Sequence, residues 1–234
     1  MIHWLTQSHD VVPQTAVHGQ PLRFLSDSEA ERLAALPNNK QRRDWLLGRW
    51  TAKRLLQTVI WETNGTTVPL DLITVKNVAS GMPTIESQLP LVDGQFSLSL
   101  SQADGQVLVT AVAKPNWPIG AQIDPIRPRS EEYINDCFTE KELALVRQVK
   151  GVERDVLVAA VCSAKTAVRQ ALKLDPSIDS RALSCLVDPE KRPSDTWVPF
   201  KIRYDNSRLP QPAPHLSGWW RTLDQFVLTL VVQQ

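Results

Sequence analysis

The sequence predicts an α+β fold made of two duplicated lobes, each a small antiparallel sheet with one long helix. Three observations lead there. Two long helical patterns, over 40–62 and 153–173, are each followed by short alternating or apolar runs that read as strands. The two helices share a core of similar type, Trp50-Thr51-Ala52-Lys53 and Cys162-Ser163-Ala164-Lys165. Further along each half stands an apolar strand with a central threonine, Thr110 in the first and Thr229 in the second. Matched elements in the same order suggest that one lobe was copied, and a pseudo-twofold interface between lobes is a natural ligand cleft.

The elements follow in order. A short strand and a loop with Pro13 and Pro21 occupy residues 1–25. Ser26 followed three residues on by Glu29 reads as a capping box that starts a helix, and Pro37-Asn38-Asn39 ends it. In 40–62, Trp45, Leu46, Arg49, Trp50, Lys53, Leu56 and Ile60 recur at three- and four-residue steps. Trp45 and Trp50 read as core residues. Residues 72–78 alternate as a strand, and Ser80-Gly81-Met82-Pro83 is a turn. Strands at 96–101 and 107–113 flank a polar turn, and the second is apolar enough to be buried on both faces. Pro115-Asn116-Trp117-Pro118 reads as a linker, giving an N-terminal lobe of 1–114 and a C-terminal lobe of 115–234. The second half predicts a strand at 119–126, helices at 130–136, 139–149 and 153–173, and strands at 182–187, 197–204 and 225–232. It places an extended loop at 205–218, where Pro210, Pro212 and Pro214 stand.

Composition narrows the function. Among 234 residues, 42% are hydrophobic and 22% charged, with a net charge of +1, so no strong field draws the chain to nucleic acid or an anionic membrane. No apolar run reaches membrane-spanning length, and the N-terminal segment has no signal-peptide pattern. Cys137, Cys162 and Cys185 have neither metal-site spacing nor an even count for a disulfide framework. A cytoplasmic monomer is the expectation.

Several stretches in order resemble the Sfp-type 4'-phosphopantetheinyl transferases. Arg42–Lys53 is similar to the family's R-x-x-W-L-x-G-R-x-x-A-K helix, and Gly81-Met82-Pro83 to its G-x-P turn. Phe96–Ser101 stands where the family has S-x-S-H-S, and Gly120–Asp124 where it has G-x-D-x-E. Ser163–Ala171 stands in place of S-x-K-E-A-x-x-K-A, and Gly218-Trp219-Trp220 resembles the tail of bacterial members. The resemblance implies a duplicated transferase fold, CoA and Mg²⁺ as cofactors, and transfer of phosphopantetheine to a serine of an acyl or peptidyl carrier protein. It implies CoA contacts at Arg43, Arg49, Lys53, Gly81, Pro83, Ser99 and Ser101, metal ligation at Gln122 and Asp124, and catalytic roles for Asp124 and Lys165.

The match breaks at the chemistry. Leu100 stands in place of a phosphate-binding histidine, and Gln122 in place of a metal aspartate. Asp124 replaces the second metal carboxylate, normally a glutamate, and Thr166 a glutamate that serves as ligand and base. Gln170 replaces a phosphate-binding lysine, with Arg169 beside it, and Cys162 replaces a tryptophan. Without base and metal charge, transferase activity is expected to be weak or absent. Three readings follow. One is a repurposed member acting on another, less polar ligand in polyketide or peptide natural-product metabolism. The second is an active transferase that relies on Asp124. The third is a non-catalytic binder of CoA or a carrier protein. The residues alone leave further alternatives open. Asp124 could pair with Arg127 or Arg129, Lys165 could cap a carboxylate, Cys162 could be core or nucleophile, and Glu142 could have a minor active-site role.

Overall fold

The structure, a computed structural model, describes residues 1–13, 23–77, 83–191, 196–210 and 212–234. It comprises two compact units, Met1–Trp117 and Pro118–Gln234. The fold class is α+β, and the two units run through similar series of elements.

In the first unit, β1 (His3–Ser8) is followed by α1 (Asp27–Ala34) and the long α2 (Asn39–Asn64). The Ser26 N–H donates to the Glu29 carboxylate at 3.0 Å, which starts α1 as a capping box. Asn38 caps α2 by accepting the Gln41 N–H at 2.9 Å. Gly65 ends that helix at φ +67°, a left-handed conformation that a Cβ disfavours, and its N–H returns to Trp61 O. A short 3-10 turn leads to β2 (Ile73–Asn77) and its antiparallel partner β3 (Pro83–Ser87). Then come β4 (Ser97–Ala103) and β5 (Gln106–Val112), which form the sheet β1-β5-β4. The apolar face of α2, through Leu47, Leu55, Leu56 and Val59, packs with Val107, Val109 and Ala111 of β5. Six of the seven β5 residues are buried, so that strand lies covered on both faces.

The second unit opens with β6 (Ile119–Pro125), then α3 (Glu131–Cys137), α4 (Glu140–Val146) and the long α5 (Val152–Ala171). Another 3-10 turn precedes β7 (Leu183–Leu186), followed by β8 (Val198–Tyr204), β9 (Leu216–Leu223) and β10 (Phe226–Gln233). The sheet order is β6-β10-β9-β8-β7. In both units the first strand pairs with the last, the last with the one before it, and the helix lies between first and second strands in sequence. The second unit adds α3 and joins all five of its strands in one sheet, whereas in the first β2 and β3 pair apart from β1-β5-β4. Among the described residues no helix is long and apolar enough to cross a membrane.

Two strands lie outside the sequence expectations. The stretch 205–218 is expected to be an extended loop, yet β9 begins at Leu216 and pairs with β8 and β10. The prolines at 210, 212 and 214 precede it and obscure its start. Gly218 sits inside it because a Cβ there would lie 2.3 Å from the Phe200 ring of β8. The other is β3, which opens on Pro83; the first residue of a strand is one of the places a sheet admits proline. The remainder of the expected turn, Ser80 to Met82 with Gly81, lies outside the described residues.

Candidate functional site

Strand alternation puts Gly120, Gln122 and Asp124 on one face of β6. That face meets α5. A Cβ on Gly120 would stand 1.9 Å from the Ala167 carbonyl oxygen, so glycine alone permits the approach. Ser163, Ala167 and Gln170 recur at helical spacing along the facing stripe of α5. The close approach brings Gln170 onto the strand.

The polar groups there are joined in a chain. Gln170 Oε1 accepts the Ala121 N–H at 3.1 Å. Gln170 Nε2 donates to Gln122 Oε1 at 3.1 Å, and Gln122 Nε2 donates to Asp124 Oδ1 at 3.2 Å. Burial pushes the Asp124 carboxyl above the ordinary carboxylate range, opposed by the Gln122 hydrogen bond, the charge of Arg129 and a hydrogen bond from the Ser163 side chain. Beside the chain, the hydroxyls of Ser163 and Thr229 lie 2.7 Å apart and each reaches the Gln122 carbonyl at 3.4 Å. Thr166 Oγ1 donates backward to the Cys162 carbonyl at 3.0 Å, a bond typical of threonine inside a helix. Cys162 Sγ lies 3.9 Å from the Tyr133 hydroxyl, and burial pushes the thiol up to about 11. That is the state of a packed thiol rather than an activated nucleophile.

Lys165 turns away from this chain. Its ammonium sits 2.8 Å from Glu142 and donates to Cys137 O at 2.7 Å and Ser180 O at 3.1 Å. Three partners match its three hydrogens. Glu142 is wholly buried, closes the capping box of α4 by accepting the Thr139 N–H at 2.7 Å, and accepts the Cys185 N–H at 2.7 Å. Arg169 clamps the segment after α5 through Ile178 O at 2.8 Å and Asp175 O at 2.7 Å.

The first unit repeats the arrangement. Lys53 is 0% exposed, pairs with Glu29, and donates to Phe24 O at 2.6 Å and Leu70 O at 3.0 Å. Glu29 accepts the Val75 N–H at 3.0 Å. Each lysine thus binds the carbonyl two residues before a helix cap, a carbonyl in the 3-10 turn, and the glutamate of a capping box. Burial lowers the Lys53 pKa, and Glu29 opposes that shift. Arg49 is buried, 3.8 Å from Glu29, with its guanidinium 4.7 Å from the centre of the Trp45 ring. Trp50 packs edge-on against Phe24 at 5.1 Å. Ser99 and Ser101 are buried in β4, and Leu100 packs toward Gly48. Arg43 is exposed and lines a cavity of about 390 Å³ with His9, Lys40, Asp44 and Gln102. His9 Nε2 lies 3.0 Å from Asp44 in its wall.

The structure therefore brings Gln122, Asp124 and Gln170 into one network and directs Lys165 and Lys53 into the interior. The Mg²⁺ that the resemblance implies does not fit these residues. Asp124 Oδ1 already faces an N–H₂ group, and the Gln122 oxygen already accepts from Gln170. Among the described residues no three His, Cys, Asp or Glu side chains converge to hold a metal. Glu29 and Glu142 as the lysines' partners lie outside the sequence expectations. The signal was present: Ser26-x-x-Glu29 and Thr139-x-x-Glu142 are both capping boxes that precede an Ala-Lys helix.

No protein-family model matches the chain, and no curated protein does. Among solved structures it is similar to the holo-[acyl-carrier-protein] synthase of Thermotoga maritima, with 17% identity, a TM-score of 0.37, and coverage of 59% of this chain and 74% of that one. It is also similar to an apo-ACPS structure of Chronobacterium ammoiniagenes, with 14% identity, a TM-score of 0.38, and coverage of 47% of this chain and 93% of that one. Neither likeness is close enough to carry over a residue or a reaction.

Proposed function

We propose that this chain is a 4'-phosphopantetheinyl-transferase-like protein that no longer performs metal-assisted transfer and has been turned to another reaction or ligand. What supports the ancestry is the ordered series of motif-like stretches together with the repeated unit. What carries the loss of activity is Thr166. It stands where the family has a carboxylate base, and its hydroxyl is engaged with the Cys162 carbonyl at 3.0 Å. A threonine hydroxyl does not remove a proton from an attacking serine near neutral pH, and loss of a general base lowers a rate by about 10²–10⁴. Lys165, with its three partners, has no hydrogen left for a phosphate.

The test is direct. The protein is incubated with CoA, Mg²⁺ and several apo carrier proteins, and the carriers are weighed by mass spectrometry. The expected result is no mass gain at ordinary enzyme concentrations. Quantitative conversion would overturn the reading in favour of an active transferase.

A second reading, a non-catalytic binder of CoA, is favoured by one observation. Lys40 and Arg43 stand exposed on the 390 Å³ cavity of the first unit, where they are placed to meet phosphate. Calorimetry with CoA in the presence of a chelator checks it. Binding that Arg43→Ala weakens would support this reading.

A further inference from the structure

We propose that the Gln170–Gln122–Asp124 chain occupies with its own hydrogen bonds the positions a divalent cation would need, so that this site holds no divalent metal. The proposal deepens the reading above and rests on it only for the identity of the site. Its test is ion binding rather than transfer, so the two can fail separately.

One group in the series cannot change roles. The Ala121 backbone N–H is a donor only, and it points at Gln170 at 3.1 Å. The Gln170 atom facing it must therefore be the oxygen, and the Gln170 nitrogen faces the next residue. That nitrogen needs an acceptor, which fixes the Gln122 oxygen toward Gln170 at 3.1 Å. The Gln122 nitrogen is then directed to Asp124 Oδ1 at 3.2 Å. One backbone hydrogen thus sets the polarity of the whole series and ends it with a partly positive N–H₂ group against the carboxylate. That group satisfies the oxygen lone pair that a cation would otherwise take.

Admitting a metal would require undoing this series. Turning the Gln122 amide to offer its oxygen places that oxygen against the Asp124 oxygen and sets two N–H₂ groups face to face at Gln170. Each reversed contact leaves a half-buried polar group without its partner. With the series intact, the Gln122 nitrogen and the Ser163 hydroxyl both already engage Asp124, and these three side chains leave a cation at most its second oxygen, one ligand where a hard divalent ion takes about six. The close approach at Gly120 holds the series in place, because it is what lets Gln170 reach Ala121 and Gln122.

The experiment uses the whole chain and the ion alone. Mn²⁺ is titrated into the wild type, Gln122→Asp and Gln122→Asp/Asp124→Asn, and the free-ion electron paramagnetic resonance signal is followed. The wild type should leave the signal unchanged. Gln122→Asp puts a second carboxylate on the same face of β6 and should bind Mn²⁺ at least tenfold more tightly, and adding Asp124→Asn should remove that binding. Stoichiometric binding by the wild type that Asp124→Asn abolishes would overturn the proposal, as would a folded Gln122→Asp that gains none. If Gln122→Asp does not fold, the wild type decides alone. Its Gln122 and Gln170 side-chain amide resonances should stay sharp with Mn²⁺, and selective broadening of those two would overturn the proposal.

Discussion

Lys165 reaches from α5 to the carboxylate of Glu142 in α4, 2.8 Å away in a nearly water-free interior. The pair joins a capping box, a long helix, a 3-10 turn and a strand edge at one point. Lys53 and Glu29 make the same junction in the first unit.

Removing the lysine should leave a buried carboxylate uncompensated. Lys165→Met and Lys53→Met are each expected to destabilise by about 3–5 kcal/mol. Urea denaturation followed by circular dichroism measures it. Lys191→Met, at a largely exposed pair 3.8 Å from Asp188, should change stability by less than about 1 kcal/mol. Equal small effects at all three positions would refute the structural role.

Gly120→Ala tests the contact that builds the candidate site. The added methyl would meet a backbone oxygen at 1.9 Å, which no side-chain rotation relieves. A loss of at least about 1–3 kcal/mol is expected, with the Gln170 amide protons losing protection from exchange. Thermal melting and amide NMR read the two consequences separately.

The paired threonines predict opposite outcomes for one substitution. Thr229 shares a buried hydrogen bond of 2.7 Å with Ser163, so Thr229→Val should destabilise by about 1–3 kcal/mol. The buried Thr110 hydroxyl has no hydrogen-bond partner among the described residues, so Thr110→Val should be neutral or stabilising. Chemical denaturation of the two variants side by side is the check.

Cys162 should react slowly with alkylating agents. Its thiol is pushed up to about 11, against an ordinary free cysteine near ~8.5. The thiolate is the reactive form, so a raised value means less of it at neutral pH. The rate with iodoacetamide should be lower than that of a free cysteine by about two orders of magnitude, and should climb as pH approaches 11. Mass spectrometry of alkylated peptides over a pH series measures this. Fast labelling at pH 7 would mean that the thiol is activated.

Much of the frame was legible in the sequence because the helices carry strong local signals. Ser26 and Glu29 announced α1, and the spacing from Trp45 to Ile60 announced α2. The buried strand β5 was visible in its unbroken apolar run. β9 was not, because the prolines before Leu216 mimic a loop and the reason for Gly218 is a ring from another strand. The candidate site was legible as a set of substitutions but not as a network. Gln122 and Gln170 lie far apart in sequence, and nothing local says that their amides meet. The lysines misled for a related reason. A lysine among alanines looks like a functional cation until its buried glutamate is found one helix earlier.

The two lysine junctions also bear on how this chain should be compared with others. A reaction carried out in one place asks nothing of a second copy elsewhere. Lys53 and Lys165 stand at matched points of both units, with the same three classes of partner, so what accounts for them is whatever both units share. That is the joining of cap, helix and strand. An Ala-Lys helix in a distant sequence is therefore a mark of construction, and it says nothing about which reaction that protein carries out.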